Sequence, residues 1–383
     1  FQTPDHLYRN KGDGTFEDRI GEMLPYTSWN SMGSDFADVN NDGWIDYLST
    51  DMSATTHFKQ KTMMGAMSAS AWFLDNLEPR QYMRNALQIN TGTEAFTDVA
   101  FFAGLDSTDW TWAGVFGDLD NDGLEDAFFT NGIERNVQDT DLSQRMDKMK
   151  EDGGGWKEIQ EVFLASPRFL ERNLAFRNRG GFEFEDVSSE WGLGDLTVSH
   201  GAVLVDLDRD GDLDLVVNNM NDPVGVYRND STGGRAILVS LRGEESNSFG
   251  LGTRVEVRLP DGTVLTRLMT SSRGYMSGVE PVLHFGLGEN ERMESLRVVW
   301  PSGKVQVFDD LEAGFHYRVS EGGVKGPVVL MEDKQKLFTR KADGLGLDFV
   351  HEENEYDDFG DQPLLPNRLS REGPAMVVGD LSG

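Results

Sequence analysis

Asp118-Leu-Asp120-Asn-Asp122-Gly123-Leu-Glu-Asp126 is the stretch on which the fold turns. Two others repeat its pattern: Asp38-Val-Asn40-Asn-Asp42-Gly43-Trp-Ile-Asp46 and Asp206-Leu-Asp208-Arg-Asp210-Gly211-Asp-Leu-Asp214. In each, oxygen-bearing side chains stand at positions 1, 3, 5 and 9, and the glycine at position 6 permits the sharp turn that wraps them around one point. Carboxylates gathered within ~4 to 6 Å repel by on the order of 1 kcal/mol per close pair in water, and by several times that near a protein surface. A hard cation resolves the repulsion, and an all-oxygen ligand set points to Ca2+. The expected ligands are Asp38, Asn40, Asp42 and Asp46; Asp118, Asp120, Asp122 and Asp126; and Asp206, Asp208, Asp210 and Asp214. Backbone carbonyls at position 7, those of Trp44, Leu124 and Asp212, are expected to add to each shell.

The loops are not EF-hands. Position 12 is Ser49, Phe129 and Val217 rather than an acid, and the flanks read as strands: Asp35-Phe-Ala, Val115-Phe-Gly and Val203-Leu-Val before, Tyr47-Leu-Ser, Ala127-Phe-Phe and Leu215-Val-Val after. Each loop therefore joins two adjacent strands. Upstream of each lies a hairpin signature: Tyr8-Arg-Asn10 with Phe16-Glu-Asp18, Gln88-Ile-Asn90 with Phe96-Thr-Asp98, and Phe176-Arg-Asn178 with Phe184-Glu-Asp186. The Asn falls 28 residues before the first Asp every time (Asn10 to Asp38, Asn90 to Asp118, Asn178 to Asp206), which marks an internal repeat. Segments of about 51–85 and 134–172 interrupt the cycle at equivalent places. They are rich in helix formers, which predicts short helical insertions projecting from one face.

This strand, DxDxDGxxD loop and strand unit, with its YRN, GxGxF and ED signature, resembles the FG-GAP or VCBS repeat of integrin alpha-chain β-propellers and of many bacterial surface proteins. The resemblance covers residues 1–230 apart from the insertions. It implies blades of four antiparallel strands, with calcium held between the first two strands of each.

Past Asn229 the repeat ends. Residues 235–320 alternate as strands joined by turns such as Pro260-Asp-Gly262 and Pro301-Ser-Gly303, which predicts a small β-sandwich or barrel. Gly250-Leu-Gly-Thr-Arg-Val, Ser272-Arg-Gly-Tyr, Leu283-His-Phe-Gly-Leu-Gly288 and Val298-Val-Trp-Pro-Ser-Gly303 closely resemble the ASPIC/UnbV domain, which accompanies such repeats in the acidic cartilage protein family and its bacterial relatives. Residues 321–335 read as a linker. Residues 336–383 read as the start of a second repeat array, in which Gly373-Pro-Ala-Met-Val-Val-Gly-Asp380 leads into a fourth, truncated loop with Asp380 as its first ligand. The whole is thus expected to be all-β: propeller blades with helical insertions, an ASPIC/UnbV domain, and the first strands of another propeller. With Phe1 in place of a Met and a chain that stops inside a loop pattern, an internal piece of a longer protein is expected.

Composition bounds function. The 383 residues carry 66 Asp and Glu against 35 Lys and Arg, a formal charge of −31, which makes nucleic acid an unfavourable partner. Cysteine is absent, excluding disulfides, thiolate zinc sites and Cys nucleophiles. No apolar run of ~18 residues is present to span a bilayer. Neither GxSxG, Walker A nor a GxGxxG between strand and helix occurs, and the six histidines are scattered. His200 and His284 read as packed within or beside core strands. The expectation is a non-enzymatic, calcium-stabilised, secreted or cell-surface protein, bacterial by its resemblance, that binds other surface proteins or glycans. Two rival readings are an envelope enzyme acting on glycans, with Trp72, Trp110, Trp112 or Trp156 stacking on sugar, and a structural subunit of a larger envelope complex.

Overall fold

The computed structural model describes residues 5–62, 79–136, 139–231, 233–322 and 328–330. The chain divides into two compact units, Phe1–Met331 and Glu332–Gly383, and every described residue belongs to the first. Asp380, Trp72 and the expected second array lie outside the described residues.

Short strands and glycine turns build blades. The first blade pairs Ser34–Ala37, Asp46–Ser49, Ala86–Asn90 and Phe96–Asp98 antiparallel in that order. The second pairs Asp109–Gly117, Asp126–Asn131, Leu174–Asn178 and Phe184–Asp186, with Met52–Ser53 added beside Asp109 and Trp110. The third has three described strands, Ser199–Val205, Asp214–Asn219 and Gly225–Tyr227. Every acidic loop joins the first two strands of its blade, and an isolated hairpin, Tyr8–Asn10 with Phe16–Asp18, precedes the array.

The two-residue period of a strand sends alternate side chains to opposite faces. In the second blade Phe116 and Phe129 pack with Leu48 and Leu87 of the first blade, while their neighbours Val115 and Phe128 pack with Leu204 and Val217 of the third. Consecutive apolar residues thus mark a blade buried on both faces.

The insertions are only partly helical. Residues 134–172 form the helices Thr140–Glu151 and Trp156–Leu164, the first capped by Asp139, whose side chain accepts from Leu142 N at 2.9 Å. Residues 51–85 contribute the helix His57–Thr62, but also Met52–Ser53 on the second blade and Arg80–Tyr82, which pairs in parallel with Tyr26–Ser28. These strands are too short to carry a readable alternation, and long-range pairing creates them.

After the blades comes a β-sandwich. Val282–Gly288, Arg235–Arg242, His316–Ser320 and Val328–Leu330 form one sheet; Val264–Leu268, Arg254–Arg258, Arg292–Val299 and Val305–Glu312 form the other. One core containing Val239, Val257, Phe285, Leu296 and Trp300 lies between them. The sandwich extends past residue 320. Glu321 is fully buried, its carboxylate accepting from the backbone N–H groups of Glu244, Glu245 and Ser246 at 2.8, 2.9 and 2.8 Å.

The first strands of the three blades lie side by side. A hairpin of the sandwich, Ser272–Arg273 with Ser277–Gly278, runs along them, and Ser34 and Gly274 exchange backbone hydrogen bonds of 3.1 and 2.9 Å. Gly274 has φ 62°, and a Cβ there would sit 2.8 Å from Val115 Cγ1, so only glycine fits. Tyr275 of this hairpin brings its ring within 5.1 Å of Trp112, which lies 4.4 Å from the ring of His200. The residual cavity beneath the hairpin is about 80 Å3, far smaller than the ~300 to 1,000 Å3 of small-molecule pockets.

Candidate metal centre

The three acidic loops share one hydrogen-bonded frame. The carboxylate at position 1 accepts from the turn: Asp38 from Asp42 N (3.0 Å) and Gly43 N (2.9 Å), Asp118 from Asp122 N (3.0 Å) and Gly123 N (2.8 Å), and Asp206 from Arg209 N (2.7 Å) and Gly211 N (3.1 Å). The carboxylate at position 9 ties the loop to its own start and to the blade's third strand. Asp46 accepts from Val39 N (3.0 Å) and Asn90 N (2.9 Å), Asp126 from Leu119 N (2.9 Å) and Asn178 N (2.8 Å), and Asp214 from Leu207 N (2.9 Å) and Asn229 N (2.8 Å). Each carboxylate oxygen has a second lone pair, so these bonds leave capacity for a cation.

The frame converges the acids. Oxygens of Asp118, Asp120 and Asp126 lie within 4.8 Å of one another, as do those of Asp206, Asp208 and Asp210. The first loop has the amide of Asn40 at position 3, which donates to Asp42 at 2.9 Å. Burial pushes Asp38 and Asp206 up to about 6 and Asp46 up to about 7, and it raises Asp118 and Asp126 far above the ordinary carboxylate range. Both oxygens of Asp120 are buried without a well-formed hydrogen bond, although Arg177 lies against one of them. The one Asp120 oxygen left without a partner, among carboxylates whose charged form burial disfavours, fits an all-oxygen cation site.

Two sets of residues carry parts of the site that the loop pattern does not announce. Position 4 has positive φ in every loop (Asn41 55°, Asn121 60°, Arg209 64°) and chains the loops together. Asn41 donates to Gly123 O at 3.1 Å, and Asn121 to Asp212 at 2.6 Å. The Asn at or just past the end of the third strand also reaches backward: Asn178 donates to Val39 O (2.9 Å) and Glu125 O (3.0 Å), Asn229 to Leu119 O (2.7 Å) and Leu213 O (3.2 Å). The repeated YRN signature is thereby explained as a staple between consecutive loops. Of the aromatic residues weighed for sugar stacking, Trp110 is buried, Trp112 packs on His200, and Trp156 is exposed.

Residues 2–49 and 158–217 match the FG-GAP-like repeat, and residues 243–326 match the domain described as ASPIC and UnbV. The chain is an FG-GAP-repeat protein with an ASPIC/UnbV domain. It is similar to cartilage acidic protein 1 of Xenopus tropicalis, at 26% identity over 308 residues, and of Homo sapiens, at 24% over 307. Each alignment covers 79% of this chain and 38% of the relative, so the chain spans about two fifths of the length of these relatives. A candidate cell adhesion protein from Bacteroides ovatus aligns at 14% identity over 47% of this chain and 81% of its own, with a TM-score of 0.16, too slight an overlap to inform fold or function. Among the described residues of this FG-GAP and ASPIC/UnbV chain, no helix is long and apolar enough to cross a membrane.

Proposed function

We propose that this chain is a non-enzymatic, calcium-binding protein of the cell surface or exterior, whose cation-stiffened blades hold the insertions out to another protein or a glycan. The observation that carries the reading is the threefold recurrence of a loop whose first carboxylate accepts from the turn glycine, around poorly solvated acids that converge in the second and third loops. Calcium would be held by Asp38, Asn40, Asp42 and Asp46, by Asp118, Asp120, Asp122 and Asp126, and by Asp206, Asp208, Asp210 and Asp214, with the carbonyls of Trp44, Leu124 and Asp212. When bound, it supplies charge neutralisation and cross-linking. The helices Thr140–Glu151 and Trp156–Leu164 enclose a groove of about 990 Å3 lined by Arg145, Met149, Val162 and Phe169, a setting for a partner on the insertions.

Thermal unfolding with and without calcium tests this. Each site held at tenfold its dissociation constant adds about 1.4 kcal/mol of stability, and loops of the extracellular kind bind at ~10⁻⁴ to 10⁻³ M. Millimolar Ca2+ is therefore expected to raise the melting temperature and a chelator to lower it; a melting temperature indifferent to both refutes the reading.

The effect of pH has a definite sign. Asp38, Asp46 and Asp206 hold protons in the folded, metal-free state up to about pH 6 to 7, whereas unfolded carboxylates release theirs near their ordinary 3.8. Between those limits the native state binds more protons than the unfolded one, so these groups stabilise the metal-free fold fully below about pH 4, and that contribution is lost as pH rises through 6 to 7. Calcium must expel the same protons. Its stabilising effect is expected to grow from pH 5 to pH 7.5 by at least about 1 kcal/mol, less than the 1.36 kcal/mol of a single pKa unit. Melting curves with and without Ca2+ at both pH values check this, and a gain that is flat or larger at pH 5 refutes it.

A further inference from the structure

The ASPIC/UnbV domain touches the turn of every acidic loop in the blade array. Arg254 Nη2 donates to Gly43 O of the first loop at 2.6 Å, and Gly288 N donates to Asn121 O of the second at 2.8 Å. His284 Nε2 lies 3.0 Å from Gly211 O of the third. A carbonyl only accepts, so this histidine carries its proton on Nε2. Three unrelated side-chain and backbone donors thus reach the corresponding turn of three different blades.

Two further contacts fall where the repeats break their own pattern. Asp35 occupies the place that Val115 and Val203 take in the sister blades, and Glu125 the place of Ile45 and Leu213. Both acids are buried. Arg273 of the inner hairpin grips Asp35 with two bonds of 2.8 and 2.6 Å and donates to Phe116 O at 2.8 Å; Arg267 pairs with Glu125. A buried carboxylate placed where the sister repeats have an apolar residue is costly unless it is paired, so these two acids are legible as seats for the two arginines.

Charge bookkeeping decides how docking affects a cation. Arg267 and Arg273 are matched by Glu125 and Asp35, and Arg254 shares Glu256 with Arg297, at 2.8 Å each. The docked domain therefore brings arginines that are largely answered by carboxylates, with Arg267 still favouring the ionised form of Asp38 and Asp118. What it contributes is a fixed backbone: turns held in place before the ion arrives lose less conformational freedom when it binds.

We propose that the ASPIC/UnbV domain is a clamp on the acidic loops, with Arg254, His284 and Gly288 as positioning residues, and that its docking and cation binding reinforce each other. This rests on the reading of the loops as calcium sites. Linkage makes the effect reciprocal: calcium tightens the clamp by the same factor by which the clamp tightens calcium.

The test uses the full chain. Calorimetric titration with CaCl2 is compared between the parent and the double variant Asp35→Val, Arg273→Met, which gives the first blade its sisters' residue and keeps the aliphatic bulk of the arginine. The expected result is at least a fivefold weaker calcium affinity in the variant, the lower end of typical coupling. In parallel, hydrogen exchange at the Gly274 amide, bonded to Ser34 O across the interface, is followed in the unaltered protein and should slow on adding Ca2+. This second measurement needs no variant to fold. Equal affinities, or an exchange rate at Gly274 that ignores calcium, overturn the clamp while leaving the calcium sites standing. A parent chain that binds no calcium overturns both.

Discussion

Asp126→Ala is expected to destabilise the chain by about 3 to 5 kcal/mol, read as a lower midpoint in urea denaturation. Asp126 is fully buried in the second blade, one oxygen accepting from Leu119 N and the other from Asn178 N. Alanine leaves both amides without an acceptor, at ~1 to 3 kcal/mol each, and removes a cation ligand as well. Asp126→Asn separates these contributions. The amide keeps one acceptor oxygen but turns an NH2 donor toward the other backbone N–H, so it should cost ~1 to 3 kcal/mol in chelator and more in millimolar calcium, where a charged ligand is lost as well. A loss below about 1 kcal/mol for the alanine variant, small beside even one orphaned amide, would mean that the loop frame is not what holds the second and third strands of the blade together.

Gly286→Ala is expected to cost about 3 kcal/mol, at the upper end of ordinary overpacking. A Cβ at this position would lie 2.0 Å from Asp118 Oδ2 and 2.6 Å from the Cα of Asn121. The carboxylate cannot swing away, because it is fixed by the backbone of Asp122 and Gly123, and the Asn121 Cα is main chain. Gly21→Ala provides the control, since nothing lies within 4 Å of a Cβ there and the residue sits in the turn of helix Ile20–Met23. Thermal denaturation should place the control at or slightly above the parent and Gly286→Ala well below it. Equal melting temperatures would show that the sandwich does not press on the second loop as closely as these distances require.

The blades were readable because their chemistry is local. A turn glycine, alternate acids and flanking apolar runs occupy fifteen consecutive residues, and the Asn10, Asn90 and Asn178 offsets multiply that signal by three. The helices Thr140–Glu151 and Trp156–Leu164 were equally plain, being runs of helix formers. What escaped was contact between distant segments. Arg80–Tyr82 is a strand because Tyr26–Ser28 lies beside it, and Glu321 is interior because three amides of residues 244–246 converge on it; neither fact leaves a trace in its own neighbourhood. Asp35 and Glu125 fall between these cases. Aligning the three repeats position by position exposes each as an acid among valines, isoleucine and leucine, though not the arginine that answers it.

The backward reach of Asn178 and Asn229 also fixes an order of events. Each staple secures an acidic loop with a residue that lies later in the chain than that loop: Val39 waits for Asn178, and Leu119 for Asn229. A chain made from its N-terminus, with leading segments able to fold first, therefore leaves its newest loop untied until the third strand of the following blade arrives. The array assembles in the manner of a zip whose last tooth is always open, and in the described chain that tooth is the third loop, where Arg209 stands in place of the linking asparagine and the ASPIC/UnbV domain is the next segment to emerge.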